Sequence, residues 1–255
     1  MPVPWPFLDH PVPIAFAHQG GASDFPENTM RAFQHAVDLG YRYIETDVHA
    51  TIDGVLVAFH DDTLDRVTDR SGVIGDLRWA DVRQARVGDG DDRIPLLEDL
   101  LGAWPDVRVN IDPKHDASVK PLVEVLTRTQ AFDRVCVGAF SDRRLGRFRR
   151  LTQGRVCTSM GPAEVARLRA ASFGAPVGRF SRACACAQVP AVAARRPLVD
   201  RRFVAAAHRR SLQVHVWTIN DATEMERLLD LGVDGIMTDA PTVLKDVLQR
   251  RGAWT

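Results

Sequence analysis

Net charge is missing from this chain: lysine plus arginine and aspartate plus glutamate number 33 each, for a formal charge of zero. A neutral protein generates no global field that would steer nucleic acid or an anionic membrane toward it, so neither is expected as a partner. The paired arginines Arg143-Arg144, Arg149-Arg150 and Arg209-Arg210 read as solvated helix faces. Long hydrophobic runs are also missing. No stretch comes near the roughly 18 apolar residues of a membrane span, and Met1–Phe7 has neither a basic start nor an apolar run of signal length. Integral membrane association is therefore not expected, and the cytoplasm is the expected location. Cysteine is scarce. Cys136, Cys157, Cys184 and Cys186 lie in apolar, strand-like stretches, as small buried thiols do in a reducing compartment. Cys184-Ala185-Cys186 is not a zinc spacing, and no second Cys/His pair accompanies it. No GxGxxG follows an apolar run, which weakens a dinucleotide-binding reading. No linker, low-complexity tract or short repeat divides residues 1–255, so one domain is expected.

What is present is a regular alternation. Hydrophobic residues make up 45% of the 255 and charged residues 26%, enough for a sizeable core under a polar surface. Extended, β-branched segments are read at Ile14–His18, Tyr43–Val48, Val55–Phe59, Arg108–Asp112, Val135–Val137, Arg155–Thr158, Cys184–Val189, Gln213–Trp217 and Gly235–Thr238. Helical periodicity begins near Asn28 and Ser118 and covers Asp142–Leu151, Pro162–Ala171, Asp200–Arg210, Ala222–Leu231 and Val243–Arg250. Strand and helix in alternation imply a parallel sheet with right-handed crossovers. About eight such units in this length predict a single-domain α/β fold, a closed (β/α)8 TIM barrel. The polar, turn-rich segment Asp61–Asp92 reads as a long loop.

The chemistry-bearing residues fall at strand C-termini, the face on which such barrels build their sites. Glu45 and Asp47, two apart in a strand, share one face. Two carboxylates so placed repel unless a cation lies between them. Asp112, from the neighbouring strand, adds a third set of oxygens, and an all-oxygen site suits one divalent ion, Mg²⁺ or Ca²⁺. Pairing of these acids with arginines at the barrel mouth is the alternative. His18 ends the first strand and His60 follows Val55–Phe59; beside an acidic cluster the two imidazoles suit general acid and general base. Lys114 can hold a phosphate oxygen or simply pair with one of the acids. Trp217 and Asp239 end the last two strands. His35, His115, His208 and His215 read as structural or surface residues; His49 shares the Asp47 face just before the chain turns at Asp53-Gly54.

The segments His18-Gln19-Gly20-Gly21, Pro26-Glu27-Asn28-Thr29, Glu45-Thr46-Asp47-Val48, Thr51-Ile52-Asp53-Gly54 and His60 through Thr68 occur in an order that resembles the glycerophosphodiester phosphodiesterases. So do Asn110-Ile111-Asp112-Pro113-Lys114, Val216 through Asp221 and Gly232 through Asp239, so the resemblance spans nearly the whole chain. It implies His18 and His60 as acid/base histidines, Glu45, Asp47 and Asp112 as metal ligands, and Lys114 on the substrate phosphate, with Trp217 near the alcohol portion. Two departures stand out: Asp112 replaces a common glutamate, and Gln19 replaces a usual arginine, so Gln19 would meet phosphate without neutralising it. Glu27 is expected to cap the first helix. The implied reaction is hydrolysis of a small glycerophosphodiester to sn-glycerol 3-phosphate and an alcohol such as choline or ethanolamine. The attacking group is the glycerol 2-hydroxyl or water. A lysophospholipase D or sphingomyelinase D-like activity on the same barrel is the alternative enzyme, and a non-catalytic phosphate-binding barrel the alternative of another class. Oligomeric state is not legible.

Overall fold

A computed structural model of the chain describes residues 5–11 and 13–254. In chain order the strands are β1 (Ile14–His18), β2 (Tyr43–Ala50), β3 (Leu56–Ala58), β4 (Arg108–Pro113), β5 (Val135–Val137), β6 (Cys157–Ser159), β7 (Cys184–Pro190), β8 (Val192–Ala193), β9 (Arg196–Pro197), β10 (Gln213–Trp217) and β11 (Gly235–Thr238). The helices are α1 (Met30–Asp38), α2 (Trp79–Val82), α3 (Leu97–Ala103), α4 (Val119–Arg128), α5 (Asp142–Leu151), α6 (Pro162–Ser172), α7 (Arg201–His208), α8 (Ala222–Asp230) and α9 (Pro241–Arg250). Strands β1, β2, β4, β5, β6, β7, β10 and β11 pair in parallel in that order, and β11 returns to β1. This is the (β/α)8 barrel expected from the alternation.

The loops that follow the strands also start the helices. Thr29, Ser141, Asp200 and Asp221 each accept a backbone N–H in the first turn of α1, α5, α7 and α8. Such caps contribute about 1 kcal/mol each. They also fix the chain's exit from the barrel mouth. The barrel interior is filled by Phe16, Tyr43, Cys136, Cys157, Cys186 and Met237, large rings set against small thiols because eight strands enclose little volume. All four cysteines are buried and unpaired, as read from the sequence. A turn at Pro6–Leu8 closes the bottom: the Phe7 ring meets Tyr43 edge-on at 5.2 Å, and the Tyr43 hydroxyl donates to the Phe7 carbonyl at 2.6 Å. Among the described residues, no helix is long and apolar enough to cross a membrane.

Four local readings change. Val55–Phe59 does supply a strand, but β3 runs antiparallel to β2 and stands outside the barrel. Segment Asp61–Asp92 is not a bare loop; Leu64, Ile74, Val82, Ala85 and Val87 fold under it with Val57, Phe59 and Ile94 into a small core of their own. Its apolar residues are too irregularly spaced to show a period. Helix α3, whose Leu97, Leu100 and Leu101 are buried, was not read from the sequence, because seven residues give too short a periodic signal. The hairpin β8–β9 was likewise not foreseen.

The first βα loop is the tightest part of the mouth. Gly20 has φ +85°, and a Cβ there would lie 2.8 Å from Ala32 Cβ and 2.9 Å from the Ala32 carbonyl carbon. Left-handed geometry and a helix backbone thus exclude a side chain at the same point. Gly20→Ala is expected to destabilise the protein by about 1–3 kcal/mol, read as a lower urea midpoint at unchanged slope.

Candidate active site

Strand register decides which polar groups meet. Across β1 and β2 His18 lies opposite Glu45, and across β2 and β4 Asp47 lies opposite Asp112. His18 Nε2 stands 3.6 Å from Glu45 Oε2. Glu45, Asp47 and Asp112 are all buried. Lys114 reaches in between, its Nζ 2.7 Å from Asp47 Oδ1 and 3.5 Å from Asp112 Oδ2. Lys114 and His18 thus face three buried acids. Burial, reinforced by the Asp47 charge, holds the Glu45 carboxyl far above the usual carboxylate range. Burial likewise pushes Asp112 up to about 6, against the pull of Lys114. Asp112 Oδ1 is buried with no hydrogen-bond partner.

Each histidine is held by a carboxylate of its own. His18 Nδ1 lies 2.7 Å from Asp239 Oδ1. The other Asp239 oxygen accepts from Asn220 Nδ2 at 2.9 Å, and Asn220 Oδ1 accepts from the Asp239 N–H at 2.9 Å. Burial opposes charge on His18, but Glu45, the bond to Asp239 and the charges of Asp239 and Asp47 outweigh it and raise His18 to about 9. The ring therefore carries a proton at neutral pH. His60 Nδ1 lies 2.7 Å from Asp61 Oδ1. Arg66 donates to both Asp61 oxygens and, through a two-point fork at 2.9 and 2.6 Å, to both oxygens of Glu27. The Arg66 bond, with lesser help from His60, holds Asp61 down at about 2.

These partners revise the part expected of Glu27. Helix α1 is capped by Thr29, whose Oγ1 accepts the Ala32 N–H at 3.2 Å. Glu27 instead anchors Arg66 and thereby the His60 loop. Asn28, at φ +55°, accepts from Thr46 Oγ1 at 2.7 Å and ties the loop between β1 and α1 to β2. Gln19, at φ +52°, is buried against the acids: its amide donates to Asp47 Oδ2 at 2.9 Å and its backbone N–H to Glu45 Oε2 at 3.3 Å.

His18, Glu45, Asp47, His60, Asp112, Lys114 and Trp217 line one cavity of about 690 Å³, and Gln19 is not among its lining residues. The sequence reading assigned no task to Asp239, Asp61 or Arg66, and gave Glu27 a different one. Asp239 ends a barrel strand and the Gly232–Asp239 segment, and Asp61 and Arg66 lie in the His60–Thr68 segment, which were their signals; Asp61, Arg66 and Glu27 meet through loops.

Two outcomes follow from the histidine clamps. Because His18 is raised above its ordinary 6.5, the stability it contributes is complete below pH 6.5 and is lost as pH rises through about 9. In chelator, urea unfolding is expected to show a loss over that window on the order of 1–3 kcal/mol, and Asp239→Asn to show a smaller one. Arg66→Ala is expected to lower kcat about tenfold by freeing His60 with little change in KM, read by steady-state kinetics.

The model of the Glycerophosphoryl diester phosphodiesterase family matches residues 18–243. The chain is 46% identical over 252 residues to "Probable glycerophosphodiester phosphodiesterase 2" of Mycobacterium tuberculosis, covering 97% of this chain and 95% of that protein. It is 29% identical to human lysophospholipase D GDPD1, over 93% of this chain and 86% of that one. Among solved structures it resembles an Oleispira antarctica phosphodiesterase in complex with the product sn-glycerol-3-phosphate, with TM-score 0.78, 22% identity and coverage of 93% and 97%. A glycerophosphodiester phosphodiesterase from Agrobacterium tumefaciens follows, with TM-score 0.76, 21% identity and coverage of 91% and 99%. With the barrel, the clustered acids and the paired histidines in place, the chain belongs to the glycerophosphoryl diester phosphodiesterase family and is an enzyme of that class.

Proposed function

We propose that this chain is a metal-dependent hydrolase of glycerophosphodiesters, acting as a single domain and releasing sn-glycerol 3-phosphate and an alcohol. The observation that carries the reading is the meeting of two carboxylate-held histidines and three buried acids on one cavity.

The acids fit a divalent cation. Their donors are all carboxylate oxygens, the set preferred by Mg²⁺ and Ca²⁺. The buried Asp112 Oδ1 lacks a hydrogen-bond partner among the described residues, and burial holds Asp112 and Glu45 above the usual carboxylate range, a cost that a bound cation would offset. Glu45, Asp47 and Asp112 would hold the ion; Lys114 lies between Asp47 and Asp112, and His18 faces Glu45. A bound ion supplies Lewis-acid polarisation of a phosphoryl oxygen.

The chain's own groups do the rest. Lys114 Nζ offers ammonium donors to a second phosphate oxygen. His18, oriented by Asp239, gives a proton to the departing alcohol. His60, exposed at the rim and oriented by Asp61, takes the proton of the nucleophile. Gln19 is read from the sequence as a phosphate contact; its amide is already engaged by Asp47, so reaching phosphate costs that bond, and its support of Asp47 is the use its geometry favours. Trp217, edge-on to Phe140 at 5.6 Å, walls the side where the alcohol would lie.

A second substrate reading rests on the far side of the same cavity. Met160, Val165, Val189, Ala193 and Leu198 extend its wall as an apolar surface away from the acids. Such a surface suits an acyl chain, and with it a lysophospholipase D activity. Purified protein is to be assayed on glycerophosphocholine and lysophosphatidylcholine with Mg²⁺, Ca²⁺ or chelator, measuring glycerol 3-phosphate and choline. Turnover is expected to vanish in chelator, and to fall about 10²–10⁴-fold in His18→Ala and in His60→Ala. Chelator-insensitive turnover, or near-normal activity in both variants, overturns the mechanism. Choline release without glycerol 3-phosphate, from the acylated substrate alone, selects the lysophospholipase reading.

A further inference from the structure

A second group of metal-ligating side chains lies outside the residues that line the catalytic cavity. His49 ends its side of β2, Asp62 follows the His60 loop, and His115 follows β4; ligand atoms from the three lie within 4.8 Å of one another. Among the described residues this is the one such group of three to come so close. His115 Nε2 and Asp62 Oδ1 are 2.9 Å apart, and the His49 and His115 rings stand 5.4 Å between centroids.

The buried His49 shows the preparation that metal-ligating imidazoles usually have. Its Nε2 lies 3.1 Å from the His60 carbonyl. A carbonyl only accepts, so Nε2 carries the hydrogen and Nδ1 the lone pair. A backbone carbonyl behind one ring nitrogen, fixing tautomer and ring orientation, is the common outer partner of a histidine ligand. An exposed His115–Asp62 pair alone would be worth only about 0–1 kcal/mol, and it gives no reason for a buried imidazole aimed at the same point.

We propose that His49, Asp62 and His115 form a second cation site, distinct from the acids around Asp112 and selective for a borderline ion of the Zn²⁺ class. Two imidazoles and one carboxylate are the donors such ions favour, whereas Mg²⁺ and Ca²⁺ favour oxygen alone. Zn–N bonds of about 2.0–2.1 Å in a tetrahedral shell put ligand atoms about 3.4 Å apart, so the His115–Asp62 pair, now at 2.9 Å, would open slightly while the wider separations in the group, all within 4.8 Å, close. Water would complete the shell on the exposed side. The ion would join β2, the loop after His60 and the loop after Lys114, and so clamp the backbone that carries the His60 ring.

The test is metal stoichiometry. Wild type, His115→Ala, Asp62→Asn and Asp47→Asn are to be dialysed against micromolar Zn²⁺ in millimolar Mg²⁺ and their bound zinc measured by mass spectrometry. Co²⁺ titration in the same buffer, followed by the visible absorption of tetrahedral cobalt, provides a second readout. Wild type and Asp47→Asn are expected to hold a zinc equivalent that His115→Ala and Asp62→Asn each bind at least about 100-fold more weakly. Retention of that equivalent in either of the latter two, its loss in Asp47→Asn, or equal zinc in all four proteins overturns the proposal.

Discussion

Three carboxyl groups held out of water at one end of a parallel barrel are the constraint on which the rest of this structure turns. Glu45 and Asp47 project from one face of β2, and Asp112 stands opposite Asp47 on β4. Burial holds Glu45 and Asp112 above the usual carboxylate range, and the charge of Asp47 adds to both shifts. The surrounding contacts answer that cost: Lys114 between Asp47 and Asp112, Gln19 donating twice, and His18 facing Glu45. Among the described residues, Asp112 Oδ1 has no hydrogen-bond partner. A core selected for stability alone would not gather acids in this way, because apolar residues of similar volume would avoid the desolvation altogether. The proposed divalent ion and phosphoryl chemistry give the charge a use.

Around that centre the two histidines are arranged by unlike supports. The His18 clamp is built on barrel strands, with Asp239 at the end of β11 and Asn220 after β10. His60 depends on a chain of loop residues, Asp61, Arg66 and Glu27, in which a single guanidinium bridges two carboxylates. Strand ends are rigid and loops are not, so the second clamp needs the two-point Arg66 geometry. The small core beneath residues 61–92 serves the same end, since it fixes the stretch from which Asp61 and Arg66 project. That explains why a segment so polar in composition folds at all.

Much of this was legible in the chain. The eight-fold alternation of strand and helix follows from local periodicity, and the facing of Glu45 and Asp47 follows from the two-residue repeat of a strand. The thiols at 136, 157, 184 and 186 were legible as buried because they sit in continuous apolar runs. Helix α3 and the hairpin β8–β9 were not, since seven and two-plus-two residues carry no resolvable period. Glu27 was misread as a cap because it precedes a helix by the right distance; Thr29, equally well placed, took that position and left Glu27 free for Arg66.

The sequence by itself determined the barrel, the face on which the polar groups gather and the kinds of donor available there, because each depends on residues close together in the chain. Tertiary structure alone decided the pairings. His18 and Asp239 are 221 residues apart and meet only because closure of the sheet sets β11 beside β1. Gln19 turned inward to Asp47, and His49, Asp62 and His115 converged from three segments. Side-chain partners across such separations are set by strand register and loop path, which are cooperative properties of the whole packed barrel, and no local pattern encodes them.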